Sequence, residues 1–181
     1  LPYFAEGGRL FGLIDTDGGI VPENYWPYWA FNDIRGERLR VESDGGLLRG
    51  DLSVTAAASP SGEVHSVVVA GTGRARRTAD LAVTALPADG RVRIATVYEV
   101  SAAGARLVRT DRIDGNAATY ETTLTVPGSG AAVVDIKVPE QHDGAWVAYS
   151  TDRTEMVVGE TFSGEIEVHN LGTEPIQGRL A

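Results

Sequence analysis

Hydrolytic acid–base chemistry of the two-carboxylate kind needs a pair of acids about 5 to 5.5 Å apart, one kept protonated by its surroundings. The first forty residues offer Glu6 and Glu23 ahead of the end of a predicted helix. Glu6 stands in a stretch without an apolar period and Glu23 in the turn entering that helix, so both read as solvated carboxylates. Asp15-Thr16-Asp17-Gly18 has the alternating carboxylates that open a calcium loop, but the twelfth position, where a bidentate carboxylate belongs, is Trp26. A turn braced by Asp side chains is the simpler reading. His65, His142 and His169 stand singly, with no i, i+4 pair and no His-Glu motif, so the sequence places no metal site. Ser61-Gly62 and Ser129-Gly130 lack the strand–turn–helix setting of a nucleophile elbow. Gly71-Thr72-Gly73-Arg74 precedes no helix that could complete a phosphate cradle, and reads as a hairpin loop holding Arg74, Arg76 and Arg77 in solvent. With no cysteine, thiolate nucleophiles, thiolate zinc sites and disulfides are excluded. Aromatic side chains remain. Tyr25, Trp26, Tyr28 and Trp29 could stack on sugar rings, since an aromatic face combines apolar contact with a modest hydrogen-bond demand. The same spacing also serves core or interdomain packing, its commoner use, or self-association into a homo-oligomer if nothing else covers the group. The sequence therefore assigns no catalytic residue, cofactor or metal ligand, and leaves Tyr25, Trp26 and Trp29 as the candidate carbohydrate contacts.

The elements that position these residues fall into three regions. Residues 1–36 hold most of the aromatic side chains. Arg9 to Ile14 reads there as a short buried strand, Asp15 to Gly19 as a turn, and Pro27 to Arg35 as a short helix. Pro27 suits the first helical turn and Gly36 the residue just beyond the last one. Tyr28, Phe31 and Ile34 recur every three residues and predict the apolar face of the helix. Residues 37–138 switch to an alternating period. Strands are predicted near Glu37 to Glu42, Leu52 to Ala58, Val64 to Ala70, Ala79 to Leu86, Val92 to Val100, Leu107 to Asp111, Tyr120 to Val126 and Ala132 to Val138. Turn signals such as Pro60-Ser61-Gly62, Pro87-Ala88-Asp89-Gly90 and Pro127-Gly128-Ser129-Gly130 separate them. The fold class that follows is all-β, an antiparallel, immunoglobulin-like β-sandwich with a short N-terminal strand–helix segment. Residues 139–181 carry Trp146 to Tyr149, Met156 to Glu160 and Ser163 to Asn170, two or three strands with the look of an opening immunoglobulin-like module. A pair of strands is marginal alone in water. This piece either adds to the preceding sandwich or begins a further module of a longer protein, and the second is favoured.

Composition narrows the partners. At 181 residues the chain is shorter than the roughly 250 that a complete (β/α)₈ barrel needs. A net charge of -9 and a pI near 4.8 repel nucleic acid and anionic membranes. No run approaches the roughly 18 apolar residues of a membrane span, and Leu1-Pro2-Tyr3-Phe4 lacks the pattern of a signal peptide.

Several of these segments together resemble the C-terminal region of clan A glycoside hydrolases, β-xylosidases and α-L-iduronidase-like enzymes above all, where the chain leaves the catalytic barrel and enters a β-sandwich. Leu10 to Ile14 followed by Gly19 to Phe31 is similar to the closing strand and aromatic helix of such a barrel. Asp51 to Ser59 with Val67 to Ala70 is similar to the sandwich hairpin that follows, and Thr122 to Pro127 with Ala132 to Ile136 to the strand pair that ends it. Two departures stand beside this: Ala70-Gly71 lies where such chains often carry Asn, and the barrel strands that supply the catalytic glutamates have no counterpart here. The resemblance implies a barrel remnant at 1–36, an accessory sandwich at 37–138, and added strands or a new module at 139–181. It also implies a secreted, extracellular setting, the parent enzyme's barrel as partner, polysaccharide nearby, and no enzymatic activity in this chain. The competing reading is an autonomous carbohydrate-binding or cell-surface adhesion module. That module should expose a coplanar set of aromatic rings, where an accessory domain should bury them against a neighbour.

Overall fold

The computed structural model describes residues 19, 21–32, 34, 36–43, 52–71, 73–139, 145–151, 161, 163–171 and 175. The predicted strand at Arg9 to Ile14, the Asp15–Gly18 part of the turn, and Met156 to Glu160 lie outside the described residues. Among the described residues one helix and ten strands follow in chain order: α1 (Pro22–Asn32), β1 (Glu37–Arg38), β2 (Leu52–Ala58), β3 (Val64–Gly71), β4 (Arg77–Thr84), β5 (Arg93–Ser101), β6 (Gly104–Ile113), β7 (Thr119–Val126), β8 (Ala131–Lys137), β9 (Ala145–Thr151) and β10 (Gly164–Asn170).

Three layers make up the body. A six-stranded antiparallel sheet, ordered β1-β2-β3-β8-β5-β6, is the middle one. The β4-β7 ribbon covers one face, where Val83, Leu86, Tyr120, Leu124 and Val126 meet Val67, Val69, Ala95, Val97, Val134 and Ile136. On the other face α1 seats Ala30, Trp26 and Trp29 against Val68, Val100, Ala131 and Val133. Sequence texture follows from this layering. β3 and β8 are covered on both sides, so they read as unbroken apolar runs, Val67-Val68-Val69 and Ala131 to Val134. β4 and β7 have one packed face and one wet face, and they keep the alternation expected for them. Each fully buried Val, Leu or Ile side chain contributes about 1.5–3 kcal/mol.

The antiparallel all-β expectation agrees with this architecture, and β2–β3 is the predicted hairpin, in register from Leu52↔Gly71 to Ala58↔His65. Other details differ. The first strand shortens to Glu37–Arg38, although Leu39 still donates its N–H to the carbonyl of Ala56 at 2.9 Å. β4 ends two residues before Leu86 because Ala85 takes a left-handed conformation, φ 60°, which turns Leu86 into the core. The segment at 73–76 is no hairpin loop: β3 pairs with β2 and β8, while β4 pairs with β7, so the segment crosses between layers. Nor do β7 and β8 pair with each other, since the Pro127–Gly130 turn carries the chain from the ribbon into the sheet.

The helix is the largest correction. It spans Pro22–Asn32 rather than Pro27 to Arg35. Pro22 takes the first helical position, where no N–H is needed, and Pro27 lies inside the helix. An interior proline removes one backbone hydrogen bond at a cost of about 3 kcal/mol, which the seating of the flanking Trp26, Trp29 and Ala30 on the sheet offsets. That set, spaced i, i+3, i+4, is the packed face; Tyr28 and Phe31, predicted to be inward, are 65% and 45% exposed. Gly36 lies beyond the helix with φ +105°, where a Cβ would fall 2.0 Å from the Ala58 carbonyl oxygen, so only glycine lets β1 reach β2.

β9 and β10 form a ribbon of their own, paired from Gly164↔Thr151 to Asn170↔Ala145. It meets the sandwich through side chains. The Thr110 hydroxyl on β6 donates to Glu167 and lies 2.8 Å from His169 Nε2, whose ring stands 5.3 Å from that of Trp146.

Candidate functional site

The aromatic group picked out in the sequence is where α1 meets the sheet. Alternation along β5 places Thr96, Tyr98 and Val100 on the helix-facing side, so Tyr98 joins the cluster. Ring centroids are 5.1 Å apart for Tyr25 and Trp26, 6.2 Å for Trp26 and Trp29, and 6.0 Å for Trp29 and Tyr98, with interplanar angles of 88°, 67° and 73°. Edge-to-face contacts of this kind hold rings in place beyond simple area burial. Within each of these three touching pairs the rings do not share a plane. Tyr25, Trp26 and Trp29 are therefore brought together, half-buried, with Trp26 and Trp29 against the core. The rings that face outward from this helix are Tyr28 and Phe31. Tyr98 is the member sequence reading missed, and its signal was the period of two in Ile94 to Val100.

Of the other sequence candidates, Glu23 lies within α1, Gly73 and Arg74 are exposed in the crossing segment, and Glu6, Asp15, Asp17 and His142 lie outside the described residues. Among the described residues no three His, Asp or Glu side chains converge as metal ligands.

Charged side chains gather at the two ends of the sandwich. At one end Arg91 binds Asp89 at 2.8 Å and Glu63 at 2.7 Å, while the fully buried Arg93 reaches Asp89 at 3.0 Å and the Arg91 carbonyl at 3.1 Å. The Arg91 hydrogen bonds hold both Glu63 and Asp89 below their usual carboxylate values, and Arg91 is held above its own. Glu167 is likewise pulled down, first by its hydrogen bond from Thr110. All three carboxylates favour the ionised form, the opposite of what a general acid requires.

Beneath Arg93 lies buried His65, on β3 between Ala58 of β2 and Ile136 of β8. Its Nδ1 and the Nε of Arg93 have no hydrogen-bond partner. Burial, then the Arg93 charge, lowers the His65 pKa below 6.5. As pH falls through about 6.5 the unfolded chain binds a proton that the folded chain refuses. Stability is therefore full above that pH and is lost progressively below it. The expected result is a melting temperature that drops between pH 7 and 5, with a shallower drop in His65→Gln; identical slopes in both proteins would remove His65 from the account.

No family model matches the sequence, and no curated protein does. Similarity appears at the level of fold. N2152 from Neocallimastix frontalis superposes with a TM-score of 0.55 at 15% identity over 73% of this chain and 34% of that one. A glucosidase from Croceicoccus marinus gives 0.54 at 11% over 70% and 33%. The GH39 enzyme from Xanthomonas axonopodis pv. citri gives 0.53 at 10% over 75% and 33%. The chain thus spans about a third of the length of these proteins, and what it shares with them is fold.

Proposed function

We propose that this chain is a non-catalytic β-sandwich accessory domain of a secreted glycoside hydrolase, supporting and packing on the catalytic barrel of its parent enzyme. The observation that carries this reading is the two-sidedness of α1. Its indoles are seated on the sheet, while Tyr28 and Phe31 point away from it and stay exposed. An accessory domain needs such a helix, one face fixed in its own core and the other offering apolar rings to a neighbour. Likeness in fold to about a third of a glucosidase and of a GH39 enzyme supports the same reading.

Burying an aromatic ring at an interface contributes about 1.5–3 kcal/mol. The double variant Tyr28→Ser, Phe31→Ser is therefore expected to weaken association with the separately expressed barrel of the parent enzyme by at least about tenfold. Wild-type affinity in the variant would overturn the docking face. Hydrolysis of aryl glycosides by this chain alone would overturn the non-catalytic assignment. Specific retention by a polysaccharide, lost in folded Trp29→Ala or Trp146→Ala, would favour the carbohydrate-binding module instead.

A further inference from the structure

We infer that the opposite end of the sandwich carries a binding surface for a carboxylated, uronate-bearing polysaccharide, centred on a guanidinium pair formed by Arg76 and Arg106. Both arginines donate through Nη2 to the same oxygen of Glu99, at 2.6 Å and 3.0 Å. The Glu99 side chain is only 13% exposed, whereas those of Arg76 and Arg106 are 61% and 65% exposed. One sheltered carboxylate thus holds two planar cations side by side and leaves most of their N–H donors in solvent. Arg74 precedes Arg76 on the crossing segment, and Arg109 follows Arg106 on β6, already engaged by Asp111 and Thr122.

The platform is pre-organised. Gly71 donates its N–H to the Gly130 carbonyl at 2.8 Å, and Ser129 donates to the Gly73 carbonyl at 2.7 Å, so two backbone bonds pin the arginine-bearing segment to the 127–130 turn. Guanidinium groups match carboxylates through paired N–H donors, and a fixed pair loses less freedom on binding than two mobile side chains would. Repeating carboxylates on a sugar polymer suit such a pair. Screening confines attraction to about 8 Å at physiological salt, which lets a local patch act despite the negative charge of the whole. A glycan is favoured over an acidic protein surface because the sandwich is proposed to serve a glycoside hydrolase. The inference rests on that reading, but its site does not overlap the docking face. Glu99 and Arg106 face the β4-β7 side of the sheet, whereas the neighbouring Tyr98 and Ala105 lie under α1.

Affinity electrophoresis of the whole chain in gels containing polygalacturonate, neutral xylan or poly-L-glutamate tests this. Retardation by polygalacturonate alone is expected, weakening with added salt and falling about tenfold in Arg76→Gln, Arg106→Gln. The charge-preserving pair Arg76→Lys, Arg106→Lys should recover only part of it, and unchanged circular dichroism and melting should accompany both variants. Absence of retardation by polygalacturonate, unchanged retardation in the folded Gln variant, or equal retardation by poly-L-glutamate would each overturn the assignment. The last would point to an acidic protein partner. Barrel association in the same Gln variant should be unaltered, so failure here is separable from failure of the accessory-domain reading.

Discussion

Leu124→Ala is expected to lower the unfolding free energy by about 2–5 kcal/mol, measured by urea denaturation. Leu124 is 1% exposed near the middle of β7, opposite Ala79 of β4, and its side chain lies in the core shared with Val67, Val97 and Val134. Truncation removes both its transfer free energy and the contacts of the neighbours that cannot close on the gap. The position matters more than most because the second layer is only two strands wide. A two-stranded ribbon has little stability in water by itself, so β4 and β7 persist through what they bury on the six-stranded sheet. A loss below about 1 kcal/mol would mean that the ribbon does not seal this face.

Gly128→Ala should rank beside it, and Gly73→Ala, in the segment that crosses to β4, should do almost nothing. A Cβ on Gly128 would lie 2.0 Å from the Arg74 carbonyl oxygen and 2.3 Å from its carbon, both backbone atoms that cannot swing aside. The turn and the crossing segment would have to separate, breaking the Ser129–Gly73 hydrogen bond, at a cost of about 3 kcal/mol. At Gly73 a Cβ would meet nothing within 4 Å, so the change should stay within about 0.5 kcal/mol. Thermal melting of the two variants side by side checks the contrast; equal melting temperatures would show that the segments are not in contact in solution.

Much of the sandwich was legible in the sequence because its signals are local. Val64 to Ala70 differs from the observed β3 by one residue, and Leu52 to Ala58 coincides with β2, since alternation, β-branching and the Pro60-Ser61-Gly62 turn all act within a few residues. Layer assignment was not legible. Whether β7 pairs with β8 or crosses away from it depends on a partner, β4, some forty residues distant. Helix boundaries failed for a related reason. Tyr28, Phe31 and Ile34 have a helical spacing as good as that of Trp26, Trp29 and Ala30, and only the seat formed by Val68, Val133 and Tyr98 selects the second set. The aromatic cluster was visible as a group of residue types, but the edge-to-face angles between its touching rings were not. The guanidinium pair was invisible, because Arg76 and Arg106 meet only through Glu99, which sits in an ordinary strand.

The position of β8 has a consequence for how the chain acquires its fold. This strand lies between β3 and β5, yet it is made after β4, β5, β6 and β7. Until Ala131 to Lys137 exist, the β2-β3 and β5-β6 hairpins are separate pieces, and the apolar run Val67-Val68-Val69 has only β2 beside it and no closed core. Pairings this distant along the chain carry a loop-closure cost and place folding in the millisecond-to-second range typical of such all-β topologies. The six-stranded sheet therefore cannot be completed before residue 137 has been synthesised, because β8 is the strand that joins its two hairpins.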